Sequence, residues 1–574
     1  MMLARLGRFR KSIRTNKTVY PGDFTAKGKR FLHGFDVAEN RPTSIDPFSY
    51  TSGRWLKCDS LQRKARHINF DYRALCQKAV EACPGASEIV RHEKNEGAFN
   101  RVFILHMDDG QRVVARIPFR LAGPRRLATQ SEVASMTYLR QYTNIPIPKV
   151  LDWNDDETNT TGTEYIIMEH ASGVQLHGKW SSMSTHQHML CVKSLATLVK
   201  EMMTLNFPAF GSIYFADAPI EPAIKIRLAE GFCIGPHCGA PVWPCSPVEL
   251  SLYGEKMSRR GPWSDIESYC SGLIDAGYRR LPDAEPAVPR LDYQGTVQEH
   301  LRLIKASDEV IRKLITSSML RNISTPLLLH PDLHKRNIYV SDGDPTQIVA
   351  LIDWQATCIE PLFSYASEMP DLITSPMSIP ISAGTEDVPA LVENQEKTKV
   401  EKDVSICQQT FEVAMKAWAP RFHDARVTDE TILRVLRYCS TSWRDSAAAL
   451  RQELIELSQR WTALGLAGSC PYQPTAEEIQ NHRKQYEDFE SLQRLKLFLI
   501  RATNSNSGGW VPSDHWDAAN EAHQLAYEEW MQTARDGDES EMTEEKAKKM
   551  WPFDPPRGSG MSSHAAMEAI SSAG

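Results

Sequence analysis

The chain has 574 residues, with 66 Lys and Arg against 72 Asp and Glu, giving a formal charge of −6. That length buries one large core or two, so a bilobal enzyme is expected rather than a small module. The acidic balance without a basic stripe argues against a nucleic-acid partner, no run of about 18 apolar residues marks an integral membrane segment, and the 12 cysteines read as reduced thiols rather than a disulfide framework.

Ahead of Asp23 the chain carries Arg5, Arg8, Arg10, Lys11, Arg14 and Lys17 and no acidic residue. Leu3, Leu6, Phe9 and Ile13 recur at helical spacing, so a helix here is cationic and amphipathic. That is the pattern of a mitochondrial presequence, with a basic unstructured tail as the alternative. Residues 1–40 are therefore set apart from the fold. Residues 43–60 are rich in turn formers, and a helix over 70–83 ends at Pro84-Gly85. Strands are expected over 87–91, 98–107 and 112–118, the last two joined by the Asp109-Gly110 turn. A helix over 128–143 is stopped by Ile145-Pro146-Ile147-Pro148. Strands over 149–153 and 164–169 complete a five-stranded sheet with one helix between its strands. Helical patterns follow over 186–205, 263–276 and 295–315. After the strands near Asp332 and Asp353 they return over 429–464 and 476–501, beyond a polar stretch at 376–400 expected to be a surface loop. Residues 536–574 are acidic, then Lys-rich, then rich in Pro, Gly and Ser, and are expected to be a disordered tail.

The stretch Leu327-Leu328-Leu329-His330-Pro331-Asp332-Leu333-His334-Lys335-Arg336-Asn337 carries the chemistry. An apolar strand delivers an His-x-Asp, an Asn follows, and a further strand ends at Asp353-Trp354. Phosphoryl transfer needs a carboxylate beside the acceptor hydroxyl, and an amide plus a second carboxylate to hold Mg²⁺ on the nucleotide phosphates. Asp332 is the candidate catalytic base; Asn337 and Asp353 are the candidate Mg²⁺ ligands, both offering hard oxygen. Each alone reads as a turn or capping residue; together, at strand ends and in this order, they read as a site.

The pattern His-x-Asp-x-x-x-x-Asn followed by Ile352-Asp353-Trp354 resembles the aminoglycoside/choline-kinase branch of the protein-kinase-like fold. Four further tracts resemble the mitochondrial phosphotransferases of the altered-inheritance-of-mitochondria type. They are Tyr50-Thr51-Ser52-Gly53-Arg54-Trp55-Leu56, Gly97-Ala98-Phe99-Asn100-Arg101-Val102-Phe103, Val113-Val114-Ala115-Arg116-Ile117-Pro118 and Gly261-Pro262-Trp263. The resemblance runs from about Pro47 to beyond Glu360. It implies an α+β, protein-kinase-like bilobal fold. An N-terminal extension and small five-stranded lobe would span 41–170. A large, mainly helical lobe over 171–535 would carry the catalytic loop and an insert shaping the acceptor site. It also implies an enzyme using ATP and Mg²⁺ to phosphorylate a hydroxyl of an unidentified small molecule, in mitochondria or alternatively in the cytoplasm.

On the nucleotide side the resemblance implies further roles. Arg116 stands where the family has a phosphate-binding Lys and keeps the charge with a different geometry. Glu132 is its expected partner on the next helix, or else a solvated glutamate. Backbone N–H groups from Gly97 to Asn100 would face the phosphates, although an ordinary β-hairpin also fits that stretch. Met168-Glu169-His170-Ala171 would be the hinge, with Glu169 and Ala171 at the adenine. Arg116 and the single loop glycine also support a rival, a pseudokinase with a nucleotide-binding or mitochondrial maintenance role. His330 is expected to brace the loop, and His334 to be either a substrate contact or loop surface. Cys233, His237, Cys238 and Cys245 depart from paired zinc-ligand spacing and read as a packed loop.

Overall fold

In the computed structural model, which describes residues 46–244, 246–253, 260–288, 290–366, 370–373, 390–536 and 542–556, a short strand β1 (Gly53–Trp55) precedes the first sheet. The expected presequence lies outside the described residues. The sheet is built from β2 (Ile89–Glu96), β3 (Asn100–Met107), β4 (Arg112–Pro118), β5 (Val150–Asn154) and β6 (Tyr165–Glu169), in the order β2-β3-β4-β6-β5, every pair antiparallel. Strict alternation explains its two faces. Phe103, Leu105 and Met107 of β3 and Val113, Ala115 and Ile117 of β4 pack with Leu75 and Ala79 of the helix Tyr72–Glu81. Arg116, one position out of phase, points to the opposite face, toward the helix Leu127–Tyr142. This is the α+β, kinase-like small lobe expected from sequence. β2 runs further than expected, through His92-Glu93-Lys94-Asn95-Glu96, because a partly exposed edge strand tolerates polar residues.

A two-residue strand β7 (Val174–Gln175) leads into the larger, mainly helical lobe. Its helices Thr185–Met203, Ile266–Arg279 and Val297–Leu314 close over one extended apolar core with Leu328, Ile338, Leu351 and Trp354. Between the first two lies a small sheet that periodicity did not announce. It is made of β8 (Ser212–Phe215), β9 (Ile226–Ala229) and β10 (Phe232–Gly235), in the order β8-β10-β9. The site strands follow: β11 (Pro326–Leu328), β12 (Ile338–Val340), β13 (Ile348–Leu351) and β14 (Ile359–Pro361). β12 pairs with both β13 and β7, and β11 pairs with β14. Among the described residues no helix is long and apolar enough to cross a membrane, and the cysteines are unpaired.

Two expectations for the second half need correction. A helix spans Ala390–Trp418, so the polar stretch is helical from 390; 374–389 lie outside the described residues. The tail is not unstructured from 536, because Thr543 caps a helix Glu544–Met550 through its side chain. Met550, Trp551 and Phe553 then pack with Leu495, Leu499, Trp530 and Leu56 in a separate core. Charge dominates that stretch locally, but its few large apolar residues have a prepared surface to bury against. Residues 557–574 lie outside the described residues.

β15 (Trp510–Pro512) joins this C-terminal core to the start of the described chain, pairing antiparallel with β1. Gly53 makes that pairing possible: a Cβ there would overlap Trp510 Nε1 and the Val511 carbonyl oxygen, which belong to the partner strand. Gly53→Ala is expected to destabilise the protein by about 1–3 kcal/mol, the usual cost of forcing atoms into a filled site. Chemical denaturation followed by tryptophan fluorescence measures it; an unchanged midpoint would show that β1 is not held this closely.

Candidate functional site

Asp332 sits just past β11 on a loop fixed from beneath by His330. The His330 ring is buried; its Nδ1 accepts the Asp332 N–H at 3.0 Å and its Nε2 lies 2.8 Å from the Ile352 carbonyl oxygen. One nitrogen accepts and the other donates, which is the neutral tautomer, and burial lowers the ring's pKa to match. Asn337 Nδ2 donates to both the carbonyl oxygen and Oδ2 of Asp332, each at 3.0 Å, while its own carbonyl oxygen accepts the Ile352 N–H at 3.0 Å. The ends of β11 and β13 are thus stitched together through His330 and Asn337.

His334, ambiguous in sequence, closes on Asp332: Nε2 is 2.8 Å from Oδ1, and Nδ1 is 3.6 Å from Asp371 Oδ2. Hydrogen bonds to these two carboxylates push the His334 pKa up to about 10. Burial raises the Asp332 pKa, but the His334 hydrogen bond and charge outweigh it and leave the carboxyl below its usual range. Asp332 therefore stays ionised and half-exposed beside an imidazolium. A cavity of about 70 Å³ opens next to it, lined by Pro331, Leu333, His334, Tyr365, Phe411 and Phe422 among others.

Asp353, at the end of β13, has φ +67°, the left-handed region that a non-glycine residue enters at a cost. Its Oδ1 lies 3.6 Å from Arg116 Nη1. Arg116 and Glu132 meet fork to fork, both terminal nitrogens on both carboxylate oxygens, with both side chains buried. Burial pushes the Glu132 pKa up to about 7 against the pull of Arg116. Gln355 Oε1 accepts from Arg116 Nη2 at 3.3 Å and from Asn100 Nδ2, and Gln355 Nε2 donates to the Ala122 carbonyl oxygen at 3.2 Å. One glutamine thus spans from the segment after Asp353 to three points of the small lobe. Arg116 Nε and Asn100 Oδ1 are buried here without a hydrogen-bond partner.

The remaining expected residues take more local roles. The Gly97 N–H closes the hairpin turn on the Asn100 carbonyl oxygen at 2.9 Å rather than opening onto the cleft. The Asn100 side chain is turned inward to Gln355. Glu169 accepts the Lys149 N–H on its own carboxylate at 3.0 Å, and the buried Ala171 offers its carbonyl oxygen to His170 Nδ1 at 2.8 Å. Sequence reasoning missed Gln355 and Asp371. Gln355 lies two positions after Asp353, but nothing in its type announced a role, and Asp371 is brought in by tertiary folding alone. In the cysteine-rich loop, His237 bonds Glu360 at 2.6 Å and Cys238 Sγ lies 2.9 Å from Tyr214 Oη. No group of three or more metal-ligating side chains occurs among the described residues, and Cys245 lies outside them.

Removing one member of a buried ion pair strands the other. Arg116→Met is expected to cost about 3–5 kcal/mol of stability at pH 8, with the double variant Arg116→Met/Glu132→Gln recovering most of it. Glu132 alone titrates higher folded than unfolded, so the folded state holds the extra proton. Without Arg116, which pulls the Glu132 pKa down to about 7 in the intact pair, burial holds the carboxyl protonated to still higher pH, so the single variant's deficit should shrink as pH falls. Urea denaturation as a function of pH checks both sign and size.

Residues 93–364 match the phosphotransferase enzyme family. A subtelomeric hrmA-associated cluster protein of Aspergillus fumigatus is 25% identical over 520 residues, covering 82% of this chain and 97% of that protein. Altered inheritance of mitochondria protein 9 of Yarrowia lipolytica, named as mitochondrial, is 25% identical over 532 residues, covering 83% and 86%. Among solved structures, a thermostable mutant of aminoglycoside phosphotransferase APH(4)-Ia with ADP and hygromycin B aligns at a TM-score of 0.33 and 13% identity, over 67% of this chain and 96% of that one. The stretch that matches this family, residues 93–364, holds Arg116, Glu132, Asp332, Asn337 and Asp353.

Proposed function

We propose that the protein transfers the γ-phosphoryl group of ATP, with Mg²⁺, to a hydroxyl of a small molecule, and that it does so in mitochondria. The observation that carries this reading is that Asn337 bonds Asp332 and, with His330, bonds Ile352, the residue before Asp353, while the Arg116 guanidinium lies 3.6 Å from Asp353. The residues fit the nucleotide: Arg116 carries a fixed charge and an Nε donor that is buried without a partner. They also fit Mg²⁺, which binds through one or two carboxylates plus substrate phosphates and needs no all-protein cage. With its amide nitrogen on Asp332, Asn337 would have its amide oxygen to offer the ion, and Asp353 its carboxylate.

Bound Mg²⁺ would supply charge neutralisation at the phosphates. The chain's own groups do the rest. Asp332 orients the acceptor hydroxyl and takes its proton. With its pKa held down by His334, its contribution is position more than basicity. His334, held between Asp332 and Asp371, sets the rotamer of that carboxylate. Arg116, pinned by Glu132, places a fixed positive charge at the phosphates. The cavity beside Asp332 takes the acceptor. The mitochondrial assignment rests on the basic N-terminal stretch and on the name of the Yarrowia lipolytica relative.

ATP-dependent phosphorylation across a metabolite library tests the reaction; absence of turnover on every acceptor would support the pseudokinase instead. Asp332→Asn is expected to lower turnover by roughly three orders of magnitude while ATP affinity stays within about twofold, as befits a group acting in the transition state. Asp353→Ala should remove the Mg²⁺ dependence of ATP binding in calorimetric titrations; equal dependence in wild type and variant would exclude it as a ligand. A reporter fused to residues 1–40 should enter mitochondria, and a cytosolic reporter would refute the presequence.

A further inference from the structure

The hairpin that faces the proposed phosphate site is closed by a buried ion pair with an unusual set of partners. Glu96 and Arg101 are cross-strand neighbours at the mouth of the β2–β3 turn, their side chains 0% exposed, with Arg101 Nε 2.8 Å from Glu96 Oε1. Glu96 Oε2 accepts the backbone N–H groups of Thr51 at 2.7 Å and Ser52 at 3.1 Å, and both hydroxyls at 3.3 Å. Arg101 donates to the carbonyl oxygens of Pro47 and Phe48, each at 2.9 Å, and of Arg66 at 3.0 Å. Arg66 Nε in turn donates to the Ala98 carbonyl oxygen at the tip, at 3.0 Å. Residues 46–52 are thus a strap across the base of the turn. Beyond Ser52 the strap becomes β1 and is anchored on β15, with Ser513 Oγ donating to the Thr51 carbonyl oxygen at 2.7 Å.

Burying a carboxylate and a guanidinium away from the reaction is costly unless each is fully hydrogen-bonded, and a well-packed apolar pair would stabilise a hairpin as well. What the ionic version adds is a single fixed conformation of the turn. A loop with only Gly97 lacks the backbone freedom by which a glycine-rich loop wraps phosphates. It must instead be held in shape beforehand, which lowers the ordering cost of binding. We propose that Glu96 is a positioning residue for the nucleotide: gripped by the 46–52 strap and by Arg101, it fixes residues 97–99 over the phosphates. This rests on the nucleotide-binding reading given above.

Calorimetric titration of the full-length chain with MgATP and, separately, with adenosine tests it. Adenosine shares the base and sugar but lacks the phosphates that the loop would cover. Glu96→Gln, which keeps the side-chain shape, is expected to weaken MgATP binding about tenfold, the scale of one lost charge-assisted hydrogen bond, with adenosine binding unchanged. Unchanged MgATP binding, or an equal loss for both ligands, overturns the proposal. The double variant Thr51→Ala/Ser52→Ala removes the two hydroxyl donors to Glu96 Oε2 and leaves Glu96 and Arg101 themselves in place. It should weaken MgATP about threefold, at the lower end for weak hydrogen bonds; identity with wild type overturns the proposal even if Glu96→Gln does not fold. Wild-type protein that binds neither ligand would instead remove the nucleotide reading and this proposal with it.

Discussion

The Arg116–Glu132 ion pair is the constraint on which the cleft depends. It joins the inner face of β4 to the helix Leu127–Tyr142, and both partners are buried. A buried pair of this kind gives little net stability, because desolvation offsets attraction. Its value is geometric: two parallel hydrogen bonds fix the guanidinium plane, which a single-point ammonium would not do. With that plane fixed, Asp353 and Gln355 of the larger lobe have a defined partner across the cleft. The left-handed backbone at Asp353 is the strained counterpart of this arrangement; a residue held there at a cost is one whose direction matters.

Two histidines four positions apart show how environment divides one residue type into two functions. His330 is buried between backbone groups and stays neutral, serving as a rigid brace. His334 lies at the surface between two carboxylates and stays charged. The stability that the His334 pairing contributes is fully present below the unfolded value of 6.5 and is lost as pH rises through about 10. Across the neutral range, then, the electrostatics around Asp332 are constant, and the site does not depend on a histidine switching state.

What the sequence disclosed and what it hid divide along a physical line. Asp332, Asn337 and Asp353 were legible because short apolar strands present them within a few residues of a turn, a local pattern. The five-stranded sheet was legible from alternation, and Glu132 from its place on the following helix. Gln355, Asp371 and the strap contacts of Glu96 were not, because each depends on segments far apart in the chain. The same is true of β1 and β15: three residues each carry no periodicity, and only their pairing makes them strands. Gly97 was left open between two readings for a related reason. A lone glycine in a hairpin reads as a binding loop or as a turn with equal ease, and the Asn100 carbonyl oxygen that claims its N–H settles its local role.

The meeting of β1 and β15 brings together parts of the chain made far apart in translation. Thr51 and Ser513 are bonded across 462 positions, and Cys58 and Asp554 across 496. Closing so long a loop costs only slightly more free energy than closing one half its length, so the finished fold bears it easily. The effect lies in timing. A nascent chain can complete the small lobe and the Asp332 loop while the partner strand of the strap is still unmade. A fragment ending before Trp510 contains Arg116, Glu132, Asp332, Asn337 and Asp353 but lacks the strand that anchors the strap. The β15 strand therefore links the ordering of the 46–52 strap beneath the β2–β3 turn to a segment made long after it.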